Sequence, residues 1–231
     1  MEDDGSTPRD QPGDRPFGPD AAAILATEHW SLLGSRSLIW NEAMSRTSIF
    51  LTLLSASIIA LALAADATGF GGQTTTLALV LLPVVLLLGL ATYVRLVQIN
   101  AEEVRTVLAM NRLRRAYLTM APGLQPYFST GHHDDERGVA ATYLMSGPRD
   151  LRPLAHFLVT TPTIVATVDA ALATVIVVLV VQAVNASTAT AVLAGTVTFA
   201  GVWGLLMPLQ RTSVTAIRAA ATRFPTPPDE R

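Results

Sequence analysis

Two charged residues interrupt long apolar stretches, and their placement invites chemistry. Arg95 lies in LALVLLPVVLLLGLATYVRLVQI, residues 77–99, and Asp169 lies in TIVATVDAALATVIVVLVVQAV, residues 163–184. A lone charge at the centre of a bilayer costs about 2.5–3.5 kcal/mol on insertion scales, so such residues are paired, snorkel to the surface or line an ion pathway. Arg95 falls near the end of its stretch and Asp169 near the start of the next, which predicts similar depths for the two. Arg can snorkel from there; the shorter Asp reaches less far. Two chemistries compete. A structural pair between Arg95 and Asp169 would lock their helices together. Alternatively, Asp169 would bind a proton or cation beside a water-filled pathway. A protonated Asp169 hydrogen-bonded to another helix is a third arrangement.

Other residues are weighed in the same way. The run His132-His133-Asp134-Asp135-Glu136 contains metal-ligating types. Adjacent residues on a regular element point apart, and helical metal pairs prefer a spacing of four. Gly131 and Gly138 frame the run, so it reads as a solvated loop and helix start, where acids favour the N-terminus. His132, His133 and Asp134 remain the metal candidates, but neither a metal nor any other cofactor is expected. His29 and His156 read as structural residues near an interface. Pro83 and Gly89 mark a possible hinge, because Pro removes a backbone donor and kinks a helix. No GxSxG, GxxxxGK[ST], HExxH or GxGxxG motif occurs, and there is no cysteine. No catalytic residue is therefore assigned and the chain reads as a non-enzyme.

These residues must be positioned by membrane-length helices. The chain has 231 residues, of which 15% are charged, and a mean hydropathy of +0.41. That charged share is below the roughly 25% of soluble domains. A span needs about 20 apolar residues. Four stretches qualify, at 47–65, 77–99, 163–184 and 189–209. The fold class expected is all-α: an integral membrane protein with four transmembrane helices plus cytoplasmic amphipathic helices. Every basic side chain is Arg, and all but Arg95 lie before 47, in 100–162 or after 209. By the positive-inside rule this puts both termini and the central segment in the cytoplasm, in a multi-pass protein of the plasma or inner membrane. Ala62-Leu63-Ala64 resembles a signal cleavage site, but the segment ahead of it is too long for a normal n-region.

Residues 1–20, rich in Pro, Gly and acids, read as a disordered tail. Residues 21–46 read as an interfacial amphipathic helix, followed by a transmembrane hairpin over 47–99. Residues 100–162 read as a cytoplasmic helical segment. Within it, the second span continues without Gly or Pro to Ala121-Pro122-Gly123, and a short helix covers 134–146. An interfacial helix over 151–160 leads into a second hairpin at 163–209, and a cytoplasmic tail follows at 210–231. Ala56, Ala60 and Ala64, then Ala166, Ala170 and Ala173, then Ala200 and Gly204 form small-residue faces for close helix packing. The same faces would suit a homo-oligomer. The expected partners are the lipid bilayer, further copies of the chain and an ion or proton. The pI of 6.1 gives no reason to expect nucleic acid. The sequence best fits a small oligomeric channel or permeation protein, with a membrane scaffold or sensor as the alternative.

Overall fold

The computed structural model describes residues 17–69, 71–143, 160–211, 215 and 221–227. Every regular element among them is helical. Helix α1 spans Ala21–Thr68 and α2 spans Gly72–Met120. A 3-10 turn at Pro122–Tyr127 and a short α3 at Glu136–Thr142 follow. Helices α4, Thr161–Ala183, and α5, Thr188–Leu206, complete the set, and α5 ends in a 3-10 turn at Met207–Arg211. All four of the longer helices are long and apolar enough to cross a membrane.

Helices α1 and α2 form one antiparallel hairpin. They have 48 and 49 residues, so each is about 72 Å long at 1.5 Å per residue. The separate surface helix expected at 21–46 merges with the first span. Nothing breaks it at residue 46, because no Gly or Pro occurs between Ser35 and Thr68. The turn joining the hairpin is short, since Gly69 at φ 75° reverses the chain where a side chain would be strained. Helix α2 likewise runs through Pro83 and Gly89 and stops ahead of Pro122, as the sequence predicts. The second turn works similarly: Asn185 takes a left-handed φ of 55°, and the Ser187 hydroxyl caps α5 by accepting from the Thr190 amide.

The bundle core contains Phe50 of α1, Leu82, Val85, Tyr93 and Leu96 of α2, Val165 and Leu172 of α4, and Leu206. Its outside is apolar as well. Ile58, Leu63, Leu87, Val192 and Leu205 are all more than half exposed, a larger apolar surface than a soluble monomer usually presents. Beyond the bundle, Val104, Val107 and Leu108 of α2 pack against Val139 of α3, with Tyr143 alongside. This second, smaller core belongs to a helical module at the far end of α2.

The small-residue faces divide. Ala166, Ala170 and Ala173 are buried, as expected. Ala56 and Ala60 are exposed and Ala64 only half-buried; the seam of α1 instead uses Ala43, Phe50 and Ser57, seven residues apart. Ala200 and Gly204 also face outward. Helix α5 approaches α4 through Ala191 and Gly195, where a Cβ on Gly195 would sit 3.0 Å from Val178 and 3.2 Å from Thr174. The helix expected over 134–146 is shorter, and that expected over 151–160, with His156, lies outside the described residues, as does nearly all of the 1–20 tail.

Candidate functional site

Arg95 and Asp169 do not form the expected pair. Arg95 projects to α1, where its Nε and Nη2 donate to both carboxylate oxygens of Glu42, at 2.8 and 2.9 Å. Its Nη1 donates to Glu102 at 2.9 Å. Glu42 also accepts from Arg46, one turn along, at 2.8 Å. This two-pronged geometry suits a guanidinium and a carboxylate. The hydrogen bond from Arg95, then that from Arg46, holds the Glu42 carboxyl down at about 2. About two turns further, Arg36 bridges to Glu103 at 3.1 Å. The charges thus form a girdle across α1 and α2 where the apolar bundle ends. The Arg95 side chain reaches away from Asp169 toward the polar end of the hairpin, where Glu42 on the neighbouring helix and Glu102 on its own supply acceptors.

Asp169 sits deeper. It is fully buried, and among the described residues neither carboxylate oxygen has a hydrogen-bond partner. Its flanks are Ala166 and Ala170, also fully buried. The carboxyl presses against α2 at Gly89: a Cβ there would lie 1.8 Å from Oδ1 and 2.8 Å from Cγ. Phe50 of α1 closes the same spot, with Cε2 2.8 Å from that Cβ position. Gly89, proposed from sequence as a hinge, is therefore the space that admits Asp169. Six residues separate Gly89 from Arg95 and eight separate Phe50 from Glu42, so the carboxyl lies about 9–12 Å along the helices from the girdle. Three helices meet at this one group.

Polar contacts flank the site on the girdle side. The Tyr93 hydroxyl, one turn from Gly89, donates to the Leu206 carbonyl. Gln210 accepts from the Thr160 and Thr163 hydroxyls at 3.3 and 3.2 Å. The Trp203 indole donates to Thr167 at 3.2 Å. These bonds fasten the foot of α5 to α4 and α2.

The His-His-Asp-Asp run is also placed differently from expectation. Asp134 is fully buried rather than solvated. It accepts from Arg112 Nε at 2.8 Å and from the backbone amides of Arg223 and Phe224, at 2.9 and 2.7 Å. Asp135 caps α3 by accepting from the Gly138 amide, and it accepts from the amide and hydroxyl of Thr226 at 2.8 and 2.9 Å. The loop is a clamp that holds residues 223–226 of the tail against the module. Burial pushes the Asp134 carboxyl up, but the Arg223 amide, the Arg112 guanidinium and the Phe224 amide outweigh it and leave the group below its ordinary value. Asp135 follows the same balance, through Gly138 and Thr226. Among the described residues no three His, Asp or Glu side chains converge as a metal site would require.

Asn111, which the sequence gives no reason to notice, organises this module. It is fully buried in α2. Its amide donates to the His133 carbonyl at 2.8 Å, and its carbonyl accepts from Arg114 and Thr142, each at 2.8 Å. Gly138 leaves room for the same loop, since a Cβ there would fall 1.9 Å from the His133 carbonyl oxygen. The start of α1 joins from the other side, where His29 stacks on Tyr117 at 5.9 Å between ring centres.

No family model matches the chain, and neither a curated protein nor a solved structure is detectably similar to it. The described residues define an all-helical structure with four helices of membrane-spanning length and composition and a helical module continuous with the first two.

Proposed function

We propose that the chain is a non-enzymatic, multi-pass membrane protein that binds a proton at Asp169 and permits permeation when that proton leaves. One observation carries this reading: a fully buried carboxyl, with both oxygens unpartnered, where three candidate spans meet. A lone buried anion costs several kcal/mol. Taking up a proton removes most of that cost, so the close packing of Gly89, Phe50 and Asp169 accommodates the neutral acid. Ionisation favours separation of α4 from the α1–α2 hairpin and entry of water. Ionisable residues inside membranes commonly serve such routes. Copies of the chain associating through the outward small faces of α1 and α5 would line the route. The arginine distribution supports a plasma-membrane placement with both termini and the module in the cytoplasm.

Proton and cation flux into liposomes tests this, with wild type beside Asp169→Asn and the oligomeric mass measured for both. The expected result is flux in the wild type that the substitution alters at unchanged mass. Absence of flux at every pH and voltage refutes permeation.

A second reading has its own support. Helices α1 and α2 pass unbroken from the apolar bundle into a module that clamps the tail. A sensor built this way reports packing in the bundle to a partner of the module. Amide exchange at Arg223, Phe224 and Thr226 would then respond to Asp169→Asn; identical exchange in both proteins refutes it.

A further inference from the structure

The module contains a cleft unrelated to Asp169. It has a volume of about 400 Å³ and is lined by Ser129, Thr130, His132, His133, Arg137 and Thr226, with Phe128 and Gln125 at its side. That volume lies within the range of small-molecule sites. Its lining is chemically one-sided, because among the described residues no carboxylate borders it. Asp134 and Asp135 are already satisfied, Asp134 by Arg112 and two tail amides, and Asp135 by Gly138 and Thr226; Glu136, beside Arg137 in sequence, is exposed. Arg137 is exposed and has no carboxylate partner among the described residues. The two imidazoles lie side by side, with ring centres 4.2 Å apart. Hydroxyls, imidazoles and a guanidinium are donors, and a guanidinium fork matches the oxygens of a phosphate.

The cleft is also held in shape. The His133 carbonyl is fixed by Asn111 of α2, and Gly131 and Gly138 pack so closely that a Cβ on Gly131 would fall 2.2 Å from the Gly138 carbonyl. Thr226 closes one wall, and its amide and hydroxyl are already fixed on Asp135. Pre-formed walls reduce the ordering cost of binding.

We propose that this cleft binds a phosphomonoester, with Arg137 as the principal phosphate contact and Phe128 beside the organic part. Because Thr226 is part of the wall, an occupied cleft holds the tail in its docked position. The proposal is independent of the proton site, so either can fail alone.

Titration calorimetry of the full chain in a neutral detergent, with phenyl phosphate as probe, tests it. The expected result is saturable binding that weakens about tenfold in Arg137→Gln, the change that loss of one charge-assisted hydrogen bond carries. His132→Gln is expected to weaken it as well. Arg105→Gln, at an exposed position of α2, leaves it unchanged. A second arm repeats the titration in liposomes with and without phosphatidic acid. Competition there identifies a lipid headgroup as the natural source of the phosphate, and its absence identifies a soluble one. No saturable binding, or equal weakening by Arg105→Gln and Arg137→Gln, overturns the proposal.

Discussion

Replacing Gly89 with alanine tests the central contact of the bundle. The added methyl would lie 1.8 Å from Asp169 Oδ1, which is 1.6 Å inside the 3.4 Å at which ordinary van der Waals contact begins. Phe50, 1% exposed, blocks the other side at 2.8 Å. Both neighbours are buried side chains, so one or both must shift to admit the methyl. Overpacking of this kind costs about 1–3 kcal/mol, which corresponds to a fall in Tm of roughly 2–12 °C for a chain of this size. Asp169→Ala alone removes a carboxyl that makes no hydrogen bond, so little stability is lost. In the double variant Gly89→Ala/Asp169→Ala the worst clash is gone and most of the loss is recovered. Recovery is incomplete because Phe50 still stands at 2.8 Å. Thermal unfolding of the four proteins in one detergent closes a double-mutant cycle. An unchanged Tm for Gly89→Ala, or strictly additive effects, would refute the packing of Asp169 against α2.

Three further outcomes are expected. A double-mutant cycle between Arg95→Gln and Glu42→Gln shows coupling in thermal unfolding, whereas one between Arg95→Gln and Asp169→Asn is additive; coupling in the second cycle would restore the discarded pair. Asp134→Asn speeds hydrogen exchange at the amides of Arg223 and Phe224, which donate to that carboxylate, and leaves the α4 core unaffected; unaltered tail exchange would dismiss the clamp. The pH response follows from the lowered carboxyls of Asp134, Asp135 and Glu42. A group depressed on folding stabilises above its unfolded value, about 3.9–4.3 for these acids, and loses that contribution as pH falls toward its folded value. Tail protection is therefore constant from neutral pH to about 5 and declines below about 4; loss between pH 8 and 6 would point to another group.

The apolar lengths of the four spans are legible because a run of that composition has few alternatives. The end of α2 at Pro122 is legible for a local reason, since proline cannot continue the ladder. Asp169 stands out as an acid in an apolar run, but its neighbours do not. Gly89 and Phe50 lie on two other helices, and their approach depends on how those helices rotate about their axes. Rotation also explains the missed seam of α1. A spacing of four picks out Ala56, Ala60 and Ala64 by size, yet the partner helix meets the sevenfold seam of Ala43, Phe50 and Ser57. The partner of Arg95 carries a signal that a closer reading finds. No helix breaker separates Glu42 from the first span, so Glu42 belongs on the same rod and faces α2. The clamp gives no such signal. Asp134 and Phe224 are 90 residues apart, and a short acidic loop by itself looks like any solvated one.

The same clamp would set an order of events in biosynthesis if the four helices thread a bilayer as proposed. Its acceptors, Asp134 and Asp135, precede α4 and α5 in the chain; its donors at Arg223, Phe224 and Thr226 follow them. In a bilayer, a chain returns to the face it left only after an even number of crossings. If α4 and α5 both cross, as proposed, the tail can reach Asp134; with only one of them inserted it would end on the opposite face. Until then Asp134 has Arg112 alone among the partners described here, and the space under the tail stands open. Under the proposed threading, completion of the module would record that α4 and α5 had both crossed. A chain with only one of the two helices inserted would leave the amide-accepting side of Asp134 and Asp135 without the tail that closes it.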